Sequence, residues 1–329
     1  MLVGESAHLR DFWYPVGFAA DLASPLARRL LGVDLVVWSP TAGQVRAAVD
    51  RCPHRDGRLS RGWQEEGCLV CPYHGWAYDQ SGRAVRIPQN DPGLPIPSAA
   101  VLRSVHAELR YDVVWVCLGD PVRPIPELAH HDEPGIRWIR QYDEVWQASA
   151  LRVIDNTVDP AHVPWVHKGT FGSPDRPRFD IAVEARPWGL ELRQEIVVDN
   201  PASARAASGS DEPTTVRRYV GHYHAPCVRT TDITYPGGVR HTINLGACPV
   251  DDTHVRIVQW CLRNDTEDDA PAAEINAFDR QIMNEDRDLL ESIDPDYPLD
   301  FKGHVTVKMD RGTIEFRRIL GEITAGEWH

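Results

Sequence analysis

Two short segments constrain this chain more than anything else in it: CPHR at 52–55 and CPYHGW at 71–76. Each offers one thiolate and one imidazole, as Cys52-x-His54 and Cys71-x-x-His74, with sixteen residues between the pairs. A fold that uses them must bring two loops to one point. Thiolate is a soft ligand suited to zinc or iron–sulfur iron, and imidazole suits zinc or iron. Two of each can make a tetrahedral structural zinc site. They can equally hold a [2Fe–2S] cluster in which two histidines replace two cysteines on one iron. Cys68 complicates the choice, because Cys68-x-x-Cys71 matches half of a zinc knuckle.

The distribution of ligands favours the cluster. Each segment supplies one Cys and one His, so Cys52 and Cys71 can hold one iron while His54 and His74 hold the other. Zinc fingers group two cysteines and then two histidines. CPHR followed by CPYHGWAYD resembles the Rieske cluster motif, and Cys68 then reads as a spare buried thiol. Imidazoles in place of thiolates leave the cluster less negative and raise its potential. Such a cluster relays single electrons and implies a destination for them elsewhere in the chain.

The remaining sequence is long enough to supply one. With 329 residues the chain is of two-domain size. A formal net charge of -13 argues against nucleic acid or an anionic membrane as partner. The start, MLVGESAHLRDFWYPVGF, lacks the basic and apolar pattern of a secretory signal, and no run of ~18 apolar residues occurs, so no membrane span is expected. Seven cysteines, an odd number, fit reduced thiols and metal ligands better than a disulfide framework. A cytoplasmic protein is expected.

Residues 30–120 read as short strands divided by turns, among them LLGVDLVVW, GQVRAAVD and DVVWVCLGD. The proline-rich stretch 121–140 reads as a connection. Beyond 150, strand-like runs such as GLELRQEIVVD, VRRYVGHYHA and RHTINLGACPV precede a helix in APAAEINAFDRQIMNEDRDLLESI, with Ile275, Phe278, Ile282, Leu289 and Ile293 as its apolar residues. TIEFRRILGEI is a second amphipathic piece. The small, polar segment 201–213 reads as a mobile loop and a candidate lid.

The segment DNTVDPAHVPWVH places Asn156, Asp159, His162 and His167 within twelve residues. On a regular α-helix, His162 and His167 would lie roughly 140° apart, too far for one metal. Pro164 stands between them and disturbs the ladder, so a kink or π-type turn can bring both rings together. This segment resembles the mononuclear iron motif of the Rieske non-haem iron oxygenases, and the resemblance extends over nearly the whole chain.

That resemblance implies an α+β fold. Residues 1–125 would form a small all-β Rieske [2Fe–2S] domain, and 126–329 a catalytic domain whose antiparallel sheet is covered by helices in a helix-grip-like manner. It implies a mononuclear Fe(II) held by His162, His167 and a carboxylate from a distant helix, for which NEDRDLLESI singles out Asp286 over Glu285, Asp279 and Glu291. It assigns Asp159 to bridge His162 to His74 of the partner subunit in a homotrimer, with Asn156 near the iron. Electrons would pass from cluster to iron along that bridge, and O2 would oxidise a C–H bond of a small ring compound or natural product. No G-x-G-x-x-G follows a strand, so NAD(P)H would act through a separate reductase, with or without a ferredoxin. The chain's length and its end, HVTVKMDRGTIEFRRILGEI, resemble homomeric monooxygenases, with O- or N-demethylation and ring cis-dihydroxylation as alternatives. Trp165, Phe171, His222, Tyr223 and Trp260 are candidate pocket residues. Asp56 and Arg58 depart from the small or apolar residues that often follow CPHR in the family.

Overall fold

The computed structural model describes residues 6–328. The reading of the first five residues lies outside them. Contacts divide the chain into two compact units, Arg10–Ile125 and Pro126 onward, the latter joined by the stretch ending at Leu9. The architecture is α+β, a strand-built unit and a unit of one large antiparallel sheet with helices.

The first unit holds ten strands: β1 Tyr14–Phe18, β2 Leu26–Leu30, β3 Val33–Trp38, β4 Arg46–Val49, β5 Trp63–Glu65, β6 Cys68–Val70, β7 Ala77–Tyr78, β8 Ala84–Arg86, β9 Ser104–Arg110 and β10 Val113–Cys117. Six pair in the order β1-β10-β9-β4-β3-β2, and four in the order β5-β6-β7-β8. The runs expected from β-branched and aromatic content are β3, β4 and β10, with Val36, Trp38, Ala48 and Trp115 buried. Leu59, Leu69, Tyr78 and Leu102 pack with Val36 and Trp38 beneath the two Cys/His loops. Burying each large apolar side chain there contributes roughly 1.5–3 kcal/mol.

In the second unit seven strands follow: β11 Arg137–Trp146, β12 Ile181–Arg186, β13 Gly189–Asp199, β14 Thr214–His224, β15 Val228–Thr234, β16 Arg240–Pro249 and β17 Val255–Arg263. They form one antiparallel sheet in the order β11-β17-β16-β15-β14-β13-β12. Its helices are α1 Ala150–Val158, α2 Val163–Val166, α3 Arg205–Ser208, α4 Ala272–Leu290 and α5 Arg311–Ala325. The Ser149 side chain caps α1 by accepting from the Leu151 N–H, 3.3 Å. Among the described residues no helix is long and apolar enough to cross a membrane.

Three local expectations are corrected. The break in the helix comes earlier than Pro164 and ahead of both histidines: α1 ends at Val158, Pro160 opens a 3₁₀ turn through His162, and Pro164 lies in the first turn of α2. A proline is tolerated there because the first-turn N–H has no helical partner. In α4, Leu289 is exposed, as is Ile293 beyond the helix end, whereas Asp279, Met283 and Leu290 are buried with Ile275 and Phe278. The inward face thus carries a buried acid, Asp279, which a purely apolar stripe cannot reveal.

The 201–213 segment is folded. Ala204, Ala207 and Ser208 are buried, Asn200 Nδ2 donates to the Ser210 and Glu212 carbonyls, and the Arg263 guanidinium donates to the Ala206 and Ala207 carbonyls. Alanine and serine look loop-like in composition, yet they are small enough to pack a helical turn against the core.

Candidate metal centres and substrate cavity

The two Cys/His loops close in the same way. The Cys52 N–H donates to the Gly57 carbonyl at 2.9 Å and the Asp56 N–H returns to the Cys52 carbonyl at 3.0 Å. In the second loop, Cys71 N–H donates to Trp76 carbonyl at 2.9 Å and Gly75 N–H to Cys71 carbonyl at 3.0 Å. Both loops need a left-handed residue four positions after the cysteine. Gly75 supplies it at φ 71°, and Asp56 at φ 57°. Aspartate tolerates that conformation better than most residues, and its carboxylate is held by Arg51 through bonds of 2.6 and 2.7 Å. Arg58 lies 3.1 Å from Asp34 and 3.6 Å from Asp50, away from the ligand atoms.

These loops bring Cys52, His54, Cys71 and His74 together. The two sulfurs share a hydrogen bond, which draws Cys52 down to about 5 and pushes Cys71 up, since the second proton leaves beside an existing negative charge. Tyr78 Oη adds a contact of 3.1 Å to Cys52 Sγ. The His54 and His74 rings lie 4.5 Å apart, and Trp76 stacks on His54 at 4.4 Å. His54 Nδ1 is buried with no hydrogen-bond partner. An orphaned imidazole nitrogen beside two thiols is costly unless it ligates something, so the four side chains fit a Rieske cluster. Cys68 stays a free thiol, pushed up by burial.

A second constellation gathers His162, His167 and Asp286, whose ligand atoms all lie within 4.8 Å of one another. His162 Nε2 is 3.6 Å and His167 Nε2 3.4 Å from Asp286 Oδ1. Each Nδ1 is already engaged, His162 with the Asp159 carbonyl at 2.5 Å and His167 with Glu285 Oε2 at 2.9 Å. Those bonds fix both ring orientations and turn both Nε2 atoms toward the carboxylate. Donors spaced so can share one ion bound at about 2 Å. Burial holds His167 down to about 4, so it is neutral and able to ligate. Two imidazoles and one carboxylate are the donor set of a facial triad, and the residues fit iron.

The rival carboxylates are otherwise engaged. Glu285 braces His167 and accepts from Thr170 Oγ1 at 2.9 Å. Asp279 accepts from Gln141 Nε2 at 2.5 Å and lies 3.1 Å from His241 Nε2. Glu291 accepts from Arg287 and the Gln147 N–H. Cys261 joins His241 and Asp279 in a second buried grouping, already satisfied in part by the Asp279 contacts. Asn156 Nδ2 donates to Asp286 Oδ1 at 3.0 Å, orienting the oxygen that both histidines face. Asp159 touches His162 through its main chain, while its carboxylate accepts from the Ala161 N–H at 2.8 Å. Burial pushes that carboxyl up.

The triad opens on a cavity of about 880 Å³, its mouth included, bounded by the sheet and α4. Strand register explains its lining: Gln194, Tyr219 and Ile233 form one cross-strand row, and Arg229, Leu245 and Gln259 another. Of the five candidate pocket aromatics only Phe171 lines it, stacked on His167 at 5.0 Å. Trp165 is exposed, Trp260 points to the opposite sheet face from its neighbour Gln259, Tyr223 packs on Phe316, and His222 faces Trp188. Arg217, Arg229 and Gln194 were not among the expected site residues, and Glu285 was weighed only as a rival ligand; period-2 alternation in β13 and β14 could have pointed to Gln194 and Arg217.

Comparison with known proteins places both units of the chain in one family. Residues 12–106 match the Rieske [2Fe-2S] domain, and residues 146–325 match the vanillate O-demethylase oxygenase C-terminal domain. Methylxanthine N1-demethylase NdmA of Pseudomonas putida is 30% identical over 97% of this chain and 90% of its own. Methylxanthine N3-demethylase NdmB of the same species is 29% identical over 98% and 92%. The structure of P. putida NdmA with caffeine superposes with a TM-score of 0.82 at 27% identity, covering 98% of this chain and 93% of the other. Dicamba monooxygenase shares the fold, with a TM-score of 0.81 at 20% identity over 97% and 98%. The chain therefore belongs to the Rieske non-haem iron oxygenases, as an enzyme of the oxygenase α-subunit type.

Proposed function

We propose that this enzyme hydroxylates a C–H bond of a small ring-containing organic compound or natural product, in a monooxygenase reaction. The observation that carries this is the convergence of His162, His167 and Asp286 at one end of a largely apolar cavity. Bound iron supplies the redox chemistry by which one atom of O2 enters the substrate and the other leaves as water, two electrons and two protons being consumed. The chain's own residues do the rest. Three protein donors leave coordination positions open, Glu285 and the Asp159 carbonyl hold the imidazoles, and Asn156 holds Asp286. Phe171, Ile233, Ile243, Leu245, Ile282 and Met283 seat the ring and exclude water.

Demethylation is the second reading, favoured by the matched C-terminal domain and by the two demethylase relatives. It starts from the same step: when the C–H belongs to an N- or O-methyl group, the hydroxylated carbon leaves as formaldehyde. The working unit in this account is a homotrimer in which Asp159 links His162 to His74 of the partner subunit. A separate reductase, with or without a ferredoxin, feeds it from NAD(P)H. Incubating the holoenzyme with a surrogate reductase, O2 and a set of methylated and unmethylated ring compounds tests the reading. Products one oxygen heavier, or formaldehyde with a demethylated ring, are expected. Only doubly hydroxylated cis-diols, or no O2-dependent product from any ring, would overturn it.

A further inference from the structure

The strand run TTVRRYV places two arginines side by side, and alternation sends them to opposite faces. Arg218 points outward and pairs with Glu195 at 2.7 Å. Arg217 points inward to the cavity and is only 3% exposed. Its guanidinium lies over the Phe171 ring at 3.9 Å, with the Tyr235 and Phe278 rings beyond at 5.6 and 5.8 Å. A guanidinium carries five N–H donors. Here Nη1 donates to Tyr219 Oη at 3.2 Å, and Nε is buried with no partner. Among the described residues no carboxylate lies within ion-pair distance of it, and Asp279 is engaged by Gln141 and His241.

Arg229 repeats the pattern on the same lining. Its Nε donates to the Thr157 carbonyl at 3.3 Å and its Nη1 to the Thr230 carbonyl at 2.7 Å, with no carboxylate paired to it among the described residues. Burial draws it down only to about 9, so it stays charged at neutral pH. The neighbouring strand makes room for it: a Cβ on Gly221 would stand 1.9 Å from Arg229 Nη2. Buried cations without counter-charge oppose folding, and apolar residues of similar size would pack there at lower cost. Asp279 on the same lining favours the charged form of Arg217 from beyond ion-pair distance, but Gln141 and His241 share it, and with neither arginine in a direct ion pair among the described residues a further negative charge in the cavity would stabilise both.

We infer that the substrate is an anionic ring compound whose carboxylate is read by Arg217, with Arg229 as the supporting charge, while its ring lies on the apolar wall toward His162 and His167. The forked geometry of arginine matches a carboxylate, which would take the free Nε–H. Phe171 touches both ends, stacking on His167 and beneath Arg217, so the anchored acid fixes which ring carbon faces the metal centre. This inference rests on the oxygenase reading of the same cavity.

The test uses the purified holoenzyme and three acids of rising size, 4-methoxybenzoate, indole-3-acetate and 6-methoxy-2-naphthoate, each against its uncharged carboxamide, with Kd read by calorimetry. At least one acid should bind tenfold or more tightly than its amide. Arg217→Gln should erase that preference and Arg217→Lys, which keeps the charge and loses the fork, should retain part of it. Circular dichroism and cluster absorption check that each variant is folded; should Arg217→Gln not fold, Arg217→Lys and Arg229→Gln carry the comparison, each lowering the preference. No preference in any pair, no binding by any acid, or a preference that survives these substitutions overturns the inference. Iron content separates the two claims: an iron-loaded enzyme blind to charge refutes only the acid site, whereas acid binding by a chain that cannot hold iron refutes only the oxygenase reading.

Discussion

Glu285 Oε2 stands 2.9 Å from Nδ1 of His167, and the same oxygen accepts from Thr170 Oγ1. A ligating histidine whose far nitrogen is held by a carboxylate is fixed in tautomer and orientation. Glu285 is thus a positioning residue one step from Asp286 in sequence, on the opposite side of the His167 ring from the metal-facing nitrogen. Replacing it with Ala should weaken iron binding by about 10–100-fold, while Glu285→Gln, which can still bond Nδ1, should lose less. Iron titration of apoprotein, followed with the cluster absorption unchanged, measures this.

Asp159 presents a different contact to the other histidine. Because His162 Nδ1 bonds the Asp159 carbonyl, the hold on the ring does not depend on the side chain. Asp159→Asn should therefore keep both metals bound and stop turnover, if the carboxylate bridges to the partner subunit. Iron content together with O2 consumption checks it; normal turnover in that variant ends the bridging proposal.

The matched loops of the first unit make a stability prediction. Asp56 occupies the left-handed position that Gly75 fills in the partner loop. Asp56→Gly should be tolerated, with the loss of the Arg51 pair worth little at an exposed site. Asp56→Val should cost about 1–2 kcal/mol through backbone strain and loosen cluster retention. Melting temperature and absorbance on dilution read both effects.

His224, well away from the metal-facing residues, contributes to the pH dependence of stability. Burial holds it down to about 3, and its Nε2 has no hydrogen-bond partner. The unfolded chain, with an ordinary imidazole near 6.5, binds more protons than the folded one between those values. Stability should thus be full above pH ~6.5 and fall below it, by roughly 1.4 kcal/mol per pH unit from this group alone. Denaturant midpoints of the wild type and His224→Phe, compared from pH 7 to 5, should diverge, with the variant losing less as pH falls.

Much of the site was legible because its chemistry is local. Cys52, His54, Cys71 and His74 sit on two short loops, where spacing and ligand type expose them, whereas His162 and His167 were reached through the resemblance of their segment to the iron motif of the Rieske non-haem iron oxygenases. Asp286 was singled out among the acids of its helix by the same resemblance. What escaped is what tertiary packing decides. Glu285 looks like one more solvated acid of α4 until that helix is rotated to its buried face. Arg217 looks like half of a polar pair until the strand's alternation is combined with the absence of a counter-charge. Of the aromatics chosen for the pocket Phe171 lines it, while Trp165 and Trp260 are directed elsewhere by helix and strand phase, to which composition is blind. The 201–213 turn was missed because small residues serve loops and close packing equally well.

Whether one chain holds two separate metal stations is decided by metal analysis with spectroscopy on the purified protein. The account predicts about three irons per chain, two of them in a cluster with [2Fe–2S] absorption. Asp286→Ala should keep the cluster colour, retain about two irons and make no product. Protein holding zinc alone, or an Asp286→Ala variant with its third iron and turnover intact, would contradict it.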